Sequence, residues 1–81
     1  LCGINYLYIM KKINKVKIRI NGKNFVIKPK MTLKDVITKY KIPEEKVAIE
    51  LNKKIVNKQN FRRIMLKNLD KIEIVHFIGG G

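Results

Sequence analysis

The sequence is short of the residues most catalytic chemistry uses. It has one cysteine (Cys2), one histidine (His76), no tryptophan and six acidic residues among its 81. A single cysteine excludes an intramolecular disulfide and a cysteine metal cluster. A single histidine excludes a two-histidine metal site. A chain of this length buries a limited fraction of its surface, which leaves little room for a deep active-site cavity or a stably bound cofactor. No apolar run approaches the roughly 20 residues needed to span a bilayer. Residues 1–9 are apolar, but they lack the basic leader and cleavage site of a secretory signal. A cytoplasmic protein with no membrane partner is expected.

Positive charge is abundant. Nineteen Lys and Arg against six acids give a net +13, a balance that first suggests nucleic acid. The lysines, however, run along the whole chain. Lys, Ile and Asn, all with AT-rich codons, make up 38 of the 81 residues. No aromatic-rich strand motif or helix-turn-helix pattern accompanies them, so no specific nucleic-acid partner is expected. A basic body also suits an acidic protein partner. The competing reading is a small basic RNA-binding module, whose RNA affinity would fall steeply with salt and ignore the C-terminus.

The pattern along the chain is that of a small α+β domain. Val16, Ile18 and Ile20 alternate with Lys15, Lys17 and Arg19, the period of a half-buried strand. Asn21-Gly22 marks a tight hairpin turn. Phe25 and Ile27 line a returning strand that Pro29 ends. Thr32 and Asp35 form a potential capping box. Leu33, Val36, Ile37 and Tyr40 then make one apolar helix face, with Lys39 and Lys41 near its C-terminus and Pro43 as the stop. Residues 47–51 predict a third strand, 52–54 a turn and 55–56 a short edge piece. Residues 57–70 predict a loop or single turn with Phe61, Ile64 and either Leu66 or Leu69 tucked under. The last strand, 72–78, does not alternate cleanly, which predicts cover on both sides or an adhesive exposed face. It is expected to pair beside the first strand. The resulting fold class is a β-grasp, ubiquitin-like, with a mixed sheet of about four to five strands under one main helix.

The chain ends in Gly79-Gly80-Gly81. Three glycines predict a thin, mobile arm able to thread a narrow active-site channel. Its terminal carboxylate is a group another enzyme can reach. A frayed terminus is the plain alternative. Phe77 and Ile78, bulky and just before the arm, are candidates for partner docking, although core packing accounts for at least one of them. His76 is expected to be a surface strand residue, since a lone imidazole without a partner group makes a weak acid–base site. Glu44-Glu45, Lys53-Lys54 and Arg62-Arg63 are expected to be solvated charges. Met10-Lys11-Lys12 reads as an ordinary start. The expected organisation is therefore a non-native or upstream-start extension at 1–9, a β-grasp domain at 10–78 and a flexible glycine tail at 79–81.

Four stretches carry a specific resemblance: Ile18–Lys23, Thr32-Leu33, Val47–Asn52 with Ile55-Val56, and Asp70–Gly81. Together they resemble the ThiS family, the sulfur carriers of thiamine biosynthesis. Leu69-Asp70 stands where that family often has Gly-Asp, and Asn57 where it often has Pro. The resemblance implies a carrier without catalytic residues of its own. A ThiF-type adenylyltransferase would use ATP to adenylate Gly81. A sulfur-donating enzyme such as a cysteine desulfurase would supply sulfur for a thiocarboxylate. Thiazole synthase, of the ThiG type, would accept it, with Gly79 and Gly80 threading the partners' active sites. The small subunit of molybdopterin synthase and a ubiquitin-like modifier share this tail chemistry. The Val47–Asn52 stretch and the Phe77-Ile78-Gly79 junction favour the thiamine carrier.

Overall fold

The alternation of Val16, Ile18 and Ile20 becomes β1 (Val16–Ile20), and Asn21-Gly22 folds it back into β2 (Lys23–Ile27). In this computed structural model, which describes residues 15–77, both turn residues have positive φ, 50° and 83°. That is the signature of the turn whose twist matches flanking strands. The expectations for residues 1–14 and 78–81 lie outside the described residues.

Helix α1 (Leu33–Lys39) starts at Thr32, where the expected box forms. The Asp35 N–H donates to the Thr32 hydroxyl at 3.1 Å, and the Thr32 N–H donates to the Asp35 carboxylate at 2.9 Å. The helix is shorter than the pattern implies. Tyr40 is its C-cap, and Lys41, at φ 54°, reverses the chain before Pro43 is reached. Leu33, Val36 and Ile37 are buried against the sheet, each burial contributing about 1.5–3 kcal/mol. Tyr40 stays partly exposed, its ring edge-on to Phe25 with centroids 5.1 Å apart.

A short 3₁₀ turn at Glu44–Lys46 leads into β3 (Val47–Leu51). Glu44 is more than a solvated charge, because its carboxylate meets the Lys34 ammonium at 2.9 Å. The edge strand β4 is Lys54–Ile55, one residue earlier than expected. Asn52 and Lys53 alone make the turn, both at positive φ, so Lys54 is free to pair with Leu51. Glu45, Lys53, Lys54, Arg62 and Arg63 are exposed.

The last strand, β5 (Lys71–His76), lies between β1 and β3 in a five-stranded sheet of order β2-β1-β5-β3-β4. It runs parallel to β1 and antiparallel to β3. A mixed sheet with its final strand in the centre and one covering helix is the β-grasp architecture. The segment between β4 and β5 closes the bottom of the core. Phe61 and Leu66 are buried there, whereas Leu69 is 73 % exposed. Leu66 is held because its N–H donates to the Met31 carbonyl at 2.9 Å, beside the Thr32–Met65 bridge.

Candidate functional site

Strand β5 aims the chain toward its terminal glycines, so whatever fixes β5 fixes where the tail leaves. β3 pairs with β5 from Ile72 to His76. β1 reaches only Lys71 and Ile72. Where β1 stops, Asn21 takes over its role. The Asn21 backbone N–H donates to the Ile72 carbonyl at 2.9 Å. Its side-chain Oδ1 accepts the Ile74 N–H at 2.7 Å, and its Nδ2 donates to the Ile74 carbonyl at 3.2 Å. The carboxamide thus imitates one more residue of parallel strand. On the other edge, the Phe77 N–H donates to the Lys46 carbonyl at 2.9 Å.

Asn52 does the same at the start of the strand. Its N–H donates to the Lys71 carbonyl at 2.7 Å and its Oδ1 accepts the Lys71 N–H at 2.9 Å. Its Nδ2 donates to Asp70 at 3.0 Å. Two asparagines at positive φ, each at the tip of a hairpin, therefore clamp β5. Replacing Asn21 by Gly keeps the backbone conformation and removes only the carboxamide. The Ile74 amide should then exchange with solvent roughly 5–30-fold faster, since two partly exposed hydrogen bonds contribute about 1–2 kcal/mol together. Unchanged exchange at Ile74 in hydrogen-exchange NMR would contradict the clamp.

The side chains of β5 alternate after all. Ile72 and Ile74 face the helix side, and Lys71, Glu73, Val75 and Phe77 face the side without a helix. The expectation of cover on both sides is therefore corrected, and the alternative of an adhesive face stands. Val75 is 55 % exposed and Phe77 58 % exposed, with Ala48 directly across from Val75 on β3. An apolar patch thus sits at the tail exit. Further from the exit, Glu50 and Glu73 are cross-strand neighbours, an arrangement that repels unless solvent or a partner's cations screen it.

Of the residues singled out in the sequence, Phe77 lies at the exit and outside the core. Ile78, Gly79, Gly80 and Gly81 lie outside the described residues. His76 is an exposed strand residue paired with Val47. Among the described residues, no group of three or more His, Cys, Asp or Glu side chains could hold a metal, and no helix is long and apolar enough to cross a membrane. Val75, Asn21 and Asn52 belong to this site without being marked for it by the sequence pattern. Alternation within β5 was the available signal for Val75. The asparagines could be read as turn residues, but not as partners of a strand up to 53 residues away.

Comparison with known proteins agrees with this fold. The sequence model of the ThiS family matches residues 12–81. The sulfur carrier protein ThiS of Bacillus subtilis (strain 168) is 37 % identical over 65 residues, which cover 79 % of this chain and 98 % of that protein. A thiazole synthase of Magnetococcus marinus is 38 % identical over 66 residues, 82 % of this chain, which spans only 20 % of the synthase. The crystal structure of thiamine biosynthesis protein ThiS from Geobacter metallireducens superposes with a TM-score of 0.72 at 25 % identity, covering 82 % of this chain and all of the other.

Proposed function

This chain belongs to the ThiS family, and from that premise we propose how its end and its open face serve a sulfur carrier of thiamine biosynthesis. Gly81 is the reactive residue, through its main-chain carboxylate. A free terminal carboxylate titrates at about 3.3–3.7, so near neutral pH it is an anion and a poor electrophile. A partner adenylyltransferase overcomes this with ATP. The carboxylate oxygen attacks the α-phosphorus, pyrophosphate leaves, and the acyl adenylate carries AMP as its leaving group. The outer sulfur of a cysteine-derived persulfide attacks the carbonyl carbon and AMP departs, which leaves an acyl disulfide. A thiol then attacks the donor's sulfur, forms a disulfide with it and releases the thiocarboxylate. The thiocarboxylate sulfur is then delivered for thiazole formation. The carrier contributes no catalytic side chain and holds no cofactor, because ATP is bound by the partner.

The observation that supports this reading most directly is the exit of β5. The strand is clamped at Ile74 by Asn21 and at Phe77 by Lys46, four residues from Gly81. Gly79 and Gly80 then supply a stem thin enough for a narrow channel, since glycine lacks a Cβ. Phe77, beside Val75, gives partners an apolar patch to grip, with Ile78 next in sequence. Thiazole synthase is the partner that the Magnetococcus relative brings forward, because a region like this chain makes up about a fifth of that synthase.

The test is exchange of labelled pyrophosphate into ATP by a ThiF-type enzyme with the carboxylate of this chain as adenylyl acceptor. Amidation of the Gly81 carboxylate should reduce exchange to the level without carrier. The Phe77→Ser variant should fold normally and need about tenfold more carrier for half-maximal exchange, as loss of an interface aromatic commonly costs about 1–2 kcal/mol. Exchange that persists with the amidated chain would overturn the proposal.

A further inference from the structure

We propose that the open face carries a second binding site, a groove beside β1 and β2 that takes an acidic peptide segment of a partner protein. One bulky apolar side chain of the peptide enters the groove and its flanking carboxylates meet the rim. The groove has a volume of about 500 Å³, with Val26 and Leu69 as apolar walls and Lys17, Arg19 and Lys71 around them.

Leu69 carries the argument furthest. Its φ is 73°, a left-handed conformation in which bulky side chains are rare and strained. Its side chain is 73 % exposed, so core packing does not offset the strain. The backbone is held in place, with the Leu69 N–H on the Lys17 carbonyl at 2.6 Å. A strained residue that presents an apolar side chain to solvent fits a contact made outside the folded chain.

Charge identifies the occupant. Lys17, Arg19 and Lys71 are exposed on the same face, and Arg19 and Lys71 are direct neighbours across β1 and β5. Arg19 Nε donates to Asn24 Oδ1 at 3.1 Å, a neutral partner. The acid at the groove is Asp70, and both of its oxygens are engaged, one by Asn52 and the other by the Lys67 N–H. Both partners of Asp70 are neutral, so its charge remains, and three cations against that one carboxylate leave the groove lining net positive. A peptide suits it better than a nucleic acid, because its exposed apolar walls, Val26 and Leu69, are aliphatic. Phe25 also lines the groove, but its ring is partly buried and packs edge-on to Tyr40. Phe77, the exposed ring of this face, lies at the far end of β5, so the groove offers no open ring on which a base would stack. The groove lies at the Lys71 end of β5 and Phe77 at the other, roughly 20 Å apart at the rise of a strand. A partner can thus hold the groove without touching the tail exit.

The site stands independently of the tail chemistry, and its test uses binding alone. The full chain, labelled for NMR, is titrated with the peptide Glu-Asp-Glu-Leu-Glu-Asp-Glu, with its Leu-to-Ser counterpart, and with single-stranded polyuridine. The Leu peptide should shift the methyls of Val26 and Leu69 and the amides of Lys17, Arg19 and Lys71, and the Ser peptide should bind at least tenfold more weakly. Leu69→Gly should weaken the Leu peptide about tenfold while the melting temperature holds or rises, because glycine relieves the strain. Lys17→Glu, at an exposed position, should weaken it similarly. Equal binding of the two peptides, a lower melting temperature for Leu69→Gly, or polyuridine shifting the same resonances at lower concentration would overturn the proposal.

Discussion

Removing Gly81 alone is expected to abolish sulfur transfer and leave the melting curve of the protein where it was. The shortened chain still ends in a glycine carboxylate, so the chemistry of the end group is unchanged. Its position is not. One residue of extended chain spans about 3.3–3.6 Å, whereas displacing a reacting atom by about 1 Å already costs on the order of a hundredfold. With β5 clamped at Ile74 and Phe77, the body cannot slide forward to restore the reach. Thiazole formation should fall to the level seen without carrier. The fold should be indifferent, because the buried core of the described residues runs from Ile18 to Ile72. Normal thiazole formation by the truncated chain would remove Gly81 from the mechanism. An extra residue added after Gly81 should do comparable damage.

The largest effect on stability is expected from Phe61→Ala. Phe61 is 1 % exposed, the bulkiest of the fully buried side chains. It comes from a segment with no long helix or strand to hold it, yet its carbonyl accepts the Lys34 N–H at 2.9 Å and ties the segment to the first turn of α1. Truncating a buried Phe to Ala typically costs about 3–5 kcal/mol through lost burial and the cavity left behind. Domains of this size sit near the low end of the roughly 5–15 kcal/mol that native proteins possess. At about 4–8 °C per kcal/mol, the melting temperature should fall by at least about 12 °C. A fall of less than about 5 °C in circular dichroism melts would show that the bottom of the core is sealed by other residues. The wild-type tail would still be present in this variant, so its sulfur transfer should track the folded fraction.

Those two variants separate the two kinds of information the sequence contains. Elements whose causes are local were legible. Alternation with Asn21-Gly22 marked the first hairpin, and Thr32 with Asp35 marked the helix start. Phe61 was legible as a core residue because an aromatic in a polar stretch has few other places to go. The structure departs from the local pattern where two local signals compete or where the decisive contact is remote. The β4 strand starts at Lys54 because Asn52 and Lys53 adopt positive φ, a conformation that lysine seldom takes. Leu66 rather than Leu69 is buried because the Met31 carbonyl draws the chain inward at residue 66. β5 looked irregular because Val75 and Phe77 are apolar residues on the face without a helix. Core packing does not account for apolar side chains at these two positions. The bonds from Asn21 to Ile74 and from Asn52 to Lys71 join segments 53 and 19 residues apart, beyond the reach of any local rule.

The proposal for the tail has a different basis. A main-chain carboxylate needs no assembly of distant side chains, so the proposed chemistry rests on the order Gly79-Gly80-Gly81 alone. The central claim is therefore best tested on the intact protein by mass spectrometry, after incubation with ATP, a ThiF-type enzyme and a sulfur source. Replacement of one oxygen by sulfur, located at Gly81 by fragmentation, is the expected result. An unchanged mass beside a demonstrably active enzyme would contradict it.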